Sequence, residues 1–191
     1  EIKASNRKNK YDCIIGVSGG TDSSYLLHLA KNYWDLNPLA VNLDNGMSTD
    51  IAVSNIKKVT DSLDIDLETY VIDYQEVKSV LRSYIKSRLP WIDGPTDLAI
   101  KATLFKIAYN ENIKYIFSGD DFRSEGKQPH HWTYTDAKQL KYIVKKYEKL
   151  KLKSFPFMTL STFFYYTAIK RIKVYKPFYH LDYNKKQAQD I

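Results

Sequence analysis

Short apolar runs alternate with amphipathic stretches along this chain. The apolar run at 13–17 predicts a buried strand, and the spacing of Leu26, Leu27 and Ala30 after it predicts a helix. Further strands are predicted at 39–43, 69–72 and 115–117, with a possible last strand at 172–175. Helices are predicted at 48–63, 77–85 and 96–110, with Ile85 in the apolar stripe of the second and Ile100 among the inward positions of the third. Two more helical patterns follow a long polar loop at 122–135. This alternation predicts an α/β fold, an open, mainly parallel Rossmann-like sheet with helices on both faces.

Three polar loops follow predicted strands and are the first places to look for a ligand. They begin at Ser18, Asp44 and Gly119. In open parallel sheets, ligands bind outside the carboxyl ends of the strands. We therefore expect a site where these three loops meet.

Length and termini bear on domain organisation. A chain of 191 residues with 43% hydrophobic residues has enough apolar material for one core, so we expect a single domain over residues 1–191. The chain starts at Glu1 rather than Met, and its last residues are polar. We expect it to be a fragment of a longer protein.

Apolar length and cysteine usage predict the compartment. The longest uncharged run, 154–169, is shorter than the roughly 20 residues of a membrane-spanning helix, and no leader pattern opens the chain. A single cysteine, Cys13, excludes an internal disulfide or an all-cysteine metal site within this chain. Because Cys13 lies in a predicted strand, we expect it to be buried. A cytoplasmic protein without a membrane span is predicted.

The formal net charge of +7 suits an anionic partner such as a nucleotide or RNA. Much of that charge lies in the tract 138–153. In this tract Leu140, Ile143, Val144 and Tyr147 recur at helical spacing, which leaves the lysines facing water. We favour a solvated helix face over electrostatic steering and expect no nucleic-acid partner.

A glycine-containing loop follows the first predicted strand. Gly19 and Gly20 remove side-chain bulk where the strand turns into a helix, so backbone amides can face an anion. The helix start adds its dipole, and Asp22 suits a cation held between it and a phosphate. No lysine follows in the Gly-Lys-Ser or Gly-Lys-Thr pattern, which excludes the lysine-bearing P-loop. The possible hydroxyl donors are Ser18, Thr21, Ser23 and Ser24.

The string Ser-Gly-Gly-Thr-Asp-Ser at 18–23 resembles the signature of the PP-loop ATP pyrophosphatase superfamily, whose fold is adenine nucleotide alpha hydrolase-like. The resemblance implies ATP and Mg²⁺ as cofactors. It also implies that the loop holds the β- and γ-phosphates while a substrate oxygen attacks the α-phosphate, giving an adenylate and pyrophosphate.

The same resemblance implies roles for individual residues. The implied catalytic residues are Asp22, Ser23 and Asp121, and the implied metal ligands are Asp22 and Asp120. The implied nucleotide-binding residues are Val17, Ser18, Gly19, Gly20, Thr21, Asp22, Ser23, Ser24, Val41, Leu43, Gly119 and Asp120. Core burial explains the three aliphatic residues equally well, and turn chemistry is a similar alternative at 119–121.

Most of the remaining chain resembles the N-acetyl sugar amidotransferases of lipopolysaccharide O-antigen biosynthesis. The likeness lies in segments 37–41, 43–46, 132–133 with 136–138, and 152–156. It implies adenylation of the acetamido oxygen of an N-acetyl sugar or sugar nucleotide, followed by ammonia addition to give an acetamidino sugar. A cysteine-dependent glutaminase needs a reactive cysteine, and Cys13 does not fit that role. A separate glutaminase subunit is therefore predicted.

Two loops offer weaker candidates for substrate binding. They are Trp91 and Asp93 in one loop and His131 and Trp132 in the other. Loops at strand ends often carry function, and sugars often bind an aromatic platform beside carboxylates. Turn formation and idle surface side chains are the alternatives.

Two other functions remain open. The basic charge gives some support to a PP-loop tRNA-modifying enzyme, either a thiolase or a lysidine-type ligase. The single cysteine opposes the thiolase, because sulfur transfer commonly needs two thiols or a cluster. The other alternative is a module that binds ATP without turnover.

Overall fold

The computed structural model of this chain describes residue 2 and residues 9–120 and 136–189. In these residues, five strands form one sheet in which all neighbouring strands are parallel. The strands are β1 (Cys13–Gly16), β2 (Pro38–Asp44), β3 (Leu67–Val71), β4 (Tyr115–Phe117) and β5 (Lys173–Tyr175). Their order is β3-β2-β1-β4-β5, which puts β1 at the centre. The predicted Rossmann-like α/β fold is confirmed, with strand bounds within two residues of the predicted ones.

Seven helices follow the strands in the described part of the chain. They are α1 (Thr21–His28), α2 (Asp50–Leu63), α3 (Tyr74–Ser87), α4 (Gly94–Asn110), α5 (Ala137–Tyr147), α6 (Leu160–Phe164) and α7 (Lys185–Gln189). Helices α1 and α6 continue as π-helical turns, Leu29–Tyr33 and Tyr165–Ile169. A 3-10 turn at Pro177–Tyr179 precedes α7.

The alternation of side chains along β1 divides the apolar core between the two faces of the sheet. Cys13 and Ile15 pack on one face with Leu26 and Leu27 of α1. Ile14 points to the other face, where the apolar residues of α4 cover it. Successive strand residues point to opposite faces, so a fully apolar strand requires helices on both. Burial of Cys13 raises the pKa of its thiol, as expected for a residue inside the core.

A third apolar cluster joins α3 to α5. Val80 and Tyr84 of α3 pack with Leu140 and Val144 of α5, so the lysine-rich tract is a helix with a buried apolar face, as predicted. The prediction is wrong for Ile85, which is 60% exposed. It lies at the margin of the apolar stripe, beyond the residues that α5 covers.

Side chains cap the starts of several helices. Thr49 Oγ1 accepts from Ala52 N at the start of α2, Asp73 accepts from Gln75 N at the start of α3, and Asp136 accepts from Gln139 N at the start of α5. Each cap satisfies an amide that has no partner inside the helix. Helix α4 instead starts at Gly94, two residues before the predicted start, with a proline in its first turn.

Glu76 on α3 anchors the segment 153–155. Its carboxylate accepts hydrogen bonds from the backbone amides of Lys153, Ser154 and Phe155, at 2.6, 2.9 and 2.7 Å, and from Ser154 Oγ at 3.0 Å. Glu76 is buried, so these donors replace its lost water. In this way a stretch without regular structure is fixed against α3.

The aromatic run near residue 163 is only partly covered. Phe163 and Tyr166 pack on Phe105 of α4 with ring centroids 5.8 and 6.0 Å apart, whereas Phe164 is 63% exposed. One side of this helix therefore packs against the core, and the other is exposed. Within residues 9–120 and 136–189, no helix is both long and apolar enough to cross a bilayer.

Replacement of the buried carboxylate tests the anchor. We expect Glu76→Gln to lower the free energy of unfolding by about 2–4 kcal/mol, because an amide NH₂ would face backbone donors. Chemical denaturation measures the change. Glu111→Gln, at an exposed carboxylate, is the matched control. Equal stability of the two variants would contradict the anchoring role.

Candidate functional site

A cavity of about 370 Å³ opens at the carboxyl ends of β1, β2 and β4. The structure brings the three polar loops together there, since Ser18, Asn45 and Gly119 all line it. Its volume lies within the usual range for small-molecule sites. The cavity is therefore the candidate site.

The glycine loop takes its shape from Gly19. This residue has φ +75°, a left-handed conformation that favours glycine. A Cβ there would overlap the backbone carbonyl of Ala52 in the first turn of α2. Asn55 Nδ2 also donates to Gly19 O at 3.2 Å. Gly20 differs, with φ −87° and only Ser18 Oγ, at 3.5 Å, near the position of a Cβ.

Ser23 closes the loop from inside. The Ser23 hydroxyl accepts a hydrogen bond from Ser18 N at 3.4 Å and donates one to Gly20 O at 3.1 Å. Ser24 Oγ donates to the same carbonyl at 3.0 Å. Gly20 has no side chain to cap α1, whereas side chains cap α2, α3 and α5. The first amides of α1 thus have no partner within their helix and can receive an anion.

The two predicted metal ligands both line the cavity, and each pairs with a group from the C-terminal part of the chain. Asp22 accepts hydrogen bonds from Tyr183 Oη and from Lys185 Nζ, the latter at 2.8 Å. Asp120 pairs with Lys176 Nζ at 2.7 Å. In the described residues no group of three or more His, Cys, Asp or Glu side chains forms a metal site. Two carboxylates still fit Mg²⁺, which often takes its other ligands from water and phosphate.

Aromatic stacking holds the C-terminal segment at the cavity. Phe178 is 0% exposed and stacks on Tyr183, with ring centroids 4.2 Å apart. Tyr25 of α1 stacks on both rings, at 6.1 and 5.6 Å. This apolar stack places Tyr183 and Lys185 beside Asp22.

The structure separates the predicted nucleotide-binding residues into two groups. Those that line the cavity are Val17, Ser18, Asp22, Ser23, Val41, Leu43, Gly119 and Asp120. Gly19, Thr21 and Ser24 instead line a groove on the other side of the loop, with Asn55 and Lys58. Gly20 lies between the two as the residue before α1. The loop therefore has two faces, and the candidate cavity is on only one of them.

The predicted substrate residues are not brought together in the described structure. Trp91 is half-buried, and Asp93 is the exposed residue just before α4; neither lines the cavity. Asp121, His131 and Trp132 lie outside the described residues. Their proposed roles stay predictions.

One face of α4 forms a cavity wall that the sequence analysis did not assign. Thr96, Ile100 and Thr103 line it, at a spacing of four and three residues that places them on one helix face. The prediction that Ile100 points into the core is wrong, since it is 37% exposed. The helical spacing could have identified this face, but nothing in the sequence showed which face meets the sheet edge.

The carboxyl of Asp97 lies next to this wall. Burial is the largest effect and raises its pKa; Lys101 lowers that pKa, and the charges of Asp93 and Asp120 raise it. The pKa of Asp97 therefore depends in part on the charge of Asp120, which follows β4.

Comparison with known proteins supports the fold. No protein-family model matches the chain. A stretch of 68 residues, 36% of this chain, is 40% identical to an uncharacterised protein from Methanocaldococcus jannaschii, of which it covers 24%. The chain is similar in structure, at a TM-score of 0.50 and 16% identity, to a predicted subunit of tRNA methyltransferase from that organism, with 93% of this chain and 72% of that one covered.

A further similar structure is the NH3-dependent NAD synthetase from Campylobacter jejuni. The TM-score is 0.45 at 18% identity, and the similarity covers 63% of this chain and 52% of that one. The chain thus spans about a quarter of the sequence relative and about half of this synthetase. The similarity to the predicted tRNA methyltransferase subunit, at a TM-score of 0.50, shows a shared fold.

The two loop glycines provide a matched test. We expect Gly19→Ala to lower the free energy of unfolding by about 2 kcal/mol or more, through the strained backbone and the overlap with Ala52. Gly20→Ala should stay within about 1 kcal/mol of wild type, because its backbone suits alanine. Urea denaturation compares them. A Gly19→Ala variant as stable as Gly20→Ala would contradict the loop geometry.

The raised pKa of Asp97 predicts that this residue lowers the stability of the fold at neutral pH. An acid with a raised folded pKa stabilises the fold most below its unfolded pKa, about 3.9, and loses that stability as pH rises through the folded value. Asp97→Asn should therefore raise Tm at pH 7, and the gain should disappear below about pH 4. Thermal scans at both pH values measure this.

The exposed Asp61→Asn is the control for Asp97→Asn. Asp97 lies in the first turn of α4, where the helix dipole favours its charge and opposes the burial effect. A lower Tm for Asp97→Asn at pH 7 would mean that the dipole outweighs burial.

Proposed function

We propose that this chain is an ATP-binding domain of the PP-loop ATP pyrophosphatase superfamily. The observation that carries the proposal is the uncapped start of α1, which follows the left-handed Gly19 and carries Asp22. Asp22 and Asp120 line the same cavity. Free amides at a helix start bind phosphate, and carboxylates bind the accompanying cation. The shared fold and the signature at 18–23 support the same reading.

The lining of the cavity suits a nucleotide with its base inside and its phosphates at the loop. Val17, Val41 and Leu43 provide apolar surface at the ends of β1 and β2. Ser18 and Ser23 place hydroxyls where the loop begins. Bases bind apolar walls and phosphates bind amides and hydroxyls, so the two parts of ATP match the two parts of the cavity.

Mg²⁺ would be held by Asp22 and Asp120 and would neutralise phosphate charge. The loop itself has no lysine, but Lys176 and Lys185 reach these carboxylates from the C-terminal segment. A cation on the carboxylates would release both amines toward the phosphates. The C-terminal segment thus supplies the positive charge that the loop lacks.

The finer proposal is an ATP-dependent amidotransferase acting on an N-acetyl sugar or sugar nucleotide. The acetamido oxygen forms a bond to the α-phosphorus of ATP, and pyrophosphate leaves. Ammonia then adds to the imidate carbon, AMP leaves with the oxygen, and loss of a proton gives the neutral acetamidine. Loop amides aimed at the phosphates would stabilise charge that develops in the first step.

Ammonia is proposed to come from a separate glutaminase subunit. Cys13 is fully buried in the core, with a raised pKa, and so cannot serve as a glutaminase nucleophile. The same burial argues against its use in sulfur transfer.

A PP-loop tRNA-modifying enzyme is the second candidate. The net charge of +7 favours it, since phosphate backbones bind basic proteins. However, part of this charge lies on the solvated face of α5, where Lys138, Lys141 and Lys145 are exposed. The reaction assay below separates the two candidates.

The test is ATP-dependent formation of AMP and pyrophosphate with a panel of N-acetylated sugar nucleotides. We expect turnover with ammonium and none with glutamine. Asp22→Asn should lower it at least about a hundredfold, by removal of a cation ligand. Asp61→Asn, exposed on α2, is the control and should keep full activity.

Each other result has a defined meaning. AMP formation with bulk tRNA in place of a sugar nucleotide would favour the tRNA-modifying enzyme. ATP binding without AMP in any mixture would favour a non-catalytic module. Equal turnover with glutamine and ammonium would remove the need for a glutaminase subunit.

A further inference from the structure

The hydroxyl of Thr103 on α4 is buried without a hydrogen-bond partner. Of the side-chain atoms in the described residues, only Thr103 Oγ1 and Gln139 Oε1 are both buried and unpaired. Thr103 is 1% exposed. A buried hydroxyl without a partner costs stability, so its presence needs an explanation.

Other hydroxyls on helices of this protein do find partners. Thr60 Oγ1 donates to Ile56 O at 3.0 Å, and Ser83 Oγ donates to Ser79 O at 2.7 Å. Both bonds reach the carbonyl four residues earlier, which is the usual partner of a helical hydroxyl. The Thr103 hydroxyl makes no such bond in the described structure. Packing alone therefore holds its present rotamer, and rotation about χ1 breaks no hydrogen bond.

Thr103 also lies in the wall of the candidate site, whereas Gln139 does not line that cavity. The wall around it is mostly apolar, with Leu104 on the same helix and Val17 and Val41 on the strands. Leu104 packs against Gly16 so closely that a Cβ there would be 3.4 Å from its Cδ1. Thr96 and Asn42 are further polar residues of the lining, and a few polar groups placed among apolar ones usually fix the orientation of a bound ligand.

We propose that the Thr103 hydroxyl hydrogen-bonds the polar edge of the nucleotide base and so determines base specificity. This inference rests on the proposed function. A hydroxyl both donates and accepts, so it can meet either an exocyclic amine or a ring nitrogen. Without nucleotide, the unpaired Thr103 hydroxyl lowers the stability of the fold, but it is already in place to recognise the base.

The inference predicts opposite effects of one substitution on stability and binding. Thr103→Val keeps the shape and removes the unpaired hydroxyl, so Tm without nucleotide should rise by about 2–4 °C. The Kd for a non-hydrolysable ATP analogue with Mg²⁺ should rise about tenfold. Inorganic triphosphate, which has no base, should bind both proteins equally. Thermal unfolding and titration calorimetry provide the two measurements.

Thr103→Ser restores the hydroxyl and should bind the ATP analogue within about threefold of wild type. Should the valine variant not fold, Thr103→Ala is compared with Thr103→Ser in its place. A lower Tm for Thr103→Val together with unchanged ATP affinity would overturn the inference, as would an equal loss of ATP and triphosphate binding. A wild-type protein that binds no ATP would instead overturn the proposed function, and this inference with it.

Discussion

The contact between Gly19 and the first turn of α2 fixes the arrangement on which the candidate site depends. Because the Ala52 carbonyl occupies the space that a side chain at residue 19 would need, only glycine fits this left-handed turn. That turn directs the chain from the end of β1 into α1. The start of α1, the bonds of Ser23 and the position of Asp22 all follow from it.

The topology of the sheet adds the remaining walls. With β1 at the centre, the loops after β2 and β4 lie on either side of the glycine loop. Helix α4 covers the same edge from one face of the sheet and contributes Thr96, Ile100 and Thr103. The cavity is thus built from segments far apart in sequence, as expected where parallel strands end together.

Most of the fold could be predicted from sequence because the signals are local. The apolar run at 13–17 and the helical spacing of Leu140, Ile143 and Val144 depend only on periodicity. The exposure of Ile85 and Ile100 could not be predicted in this way. It depends on where a neighbouring element ends, which the pattern of a single helix does not record.

The candidate site was predictable only in part, for a related reason. The glycine loop carries its own signature, and the structure puts its Asp22 and the Asp120 that follows β4 at one cavity. The partners of those carboxylates, Lys176 and Lys185, lie more than fifty residues further along the chain. Glu76 likewise bonds a segment almost eighty residues away. Polar contacts of this range have no periodic signal.

The lysine partners of Asp22 and Asp120 also bear on whether folding requires a metal ion. Each acid already has a counter-charge within the polypeptide, so the fold needs no divalent ion to offset repulsion at the loop. A chelator should therefore leave the secondary structure intact. The proposed Mg²⁺ would bind to a protein that is already folded.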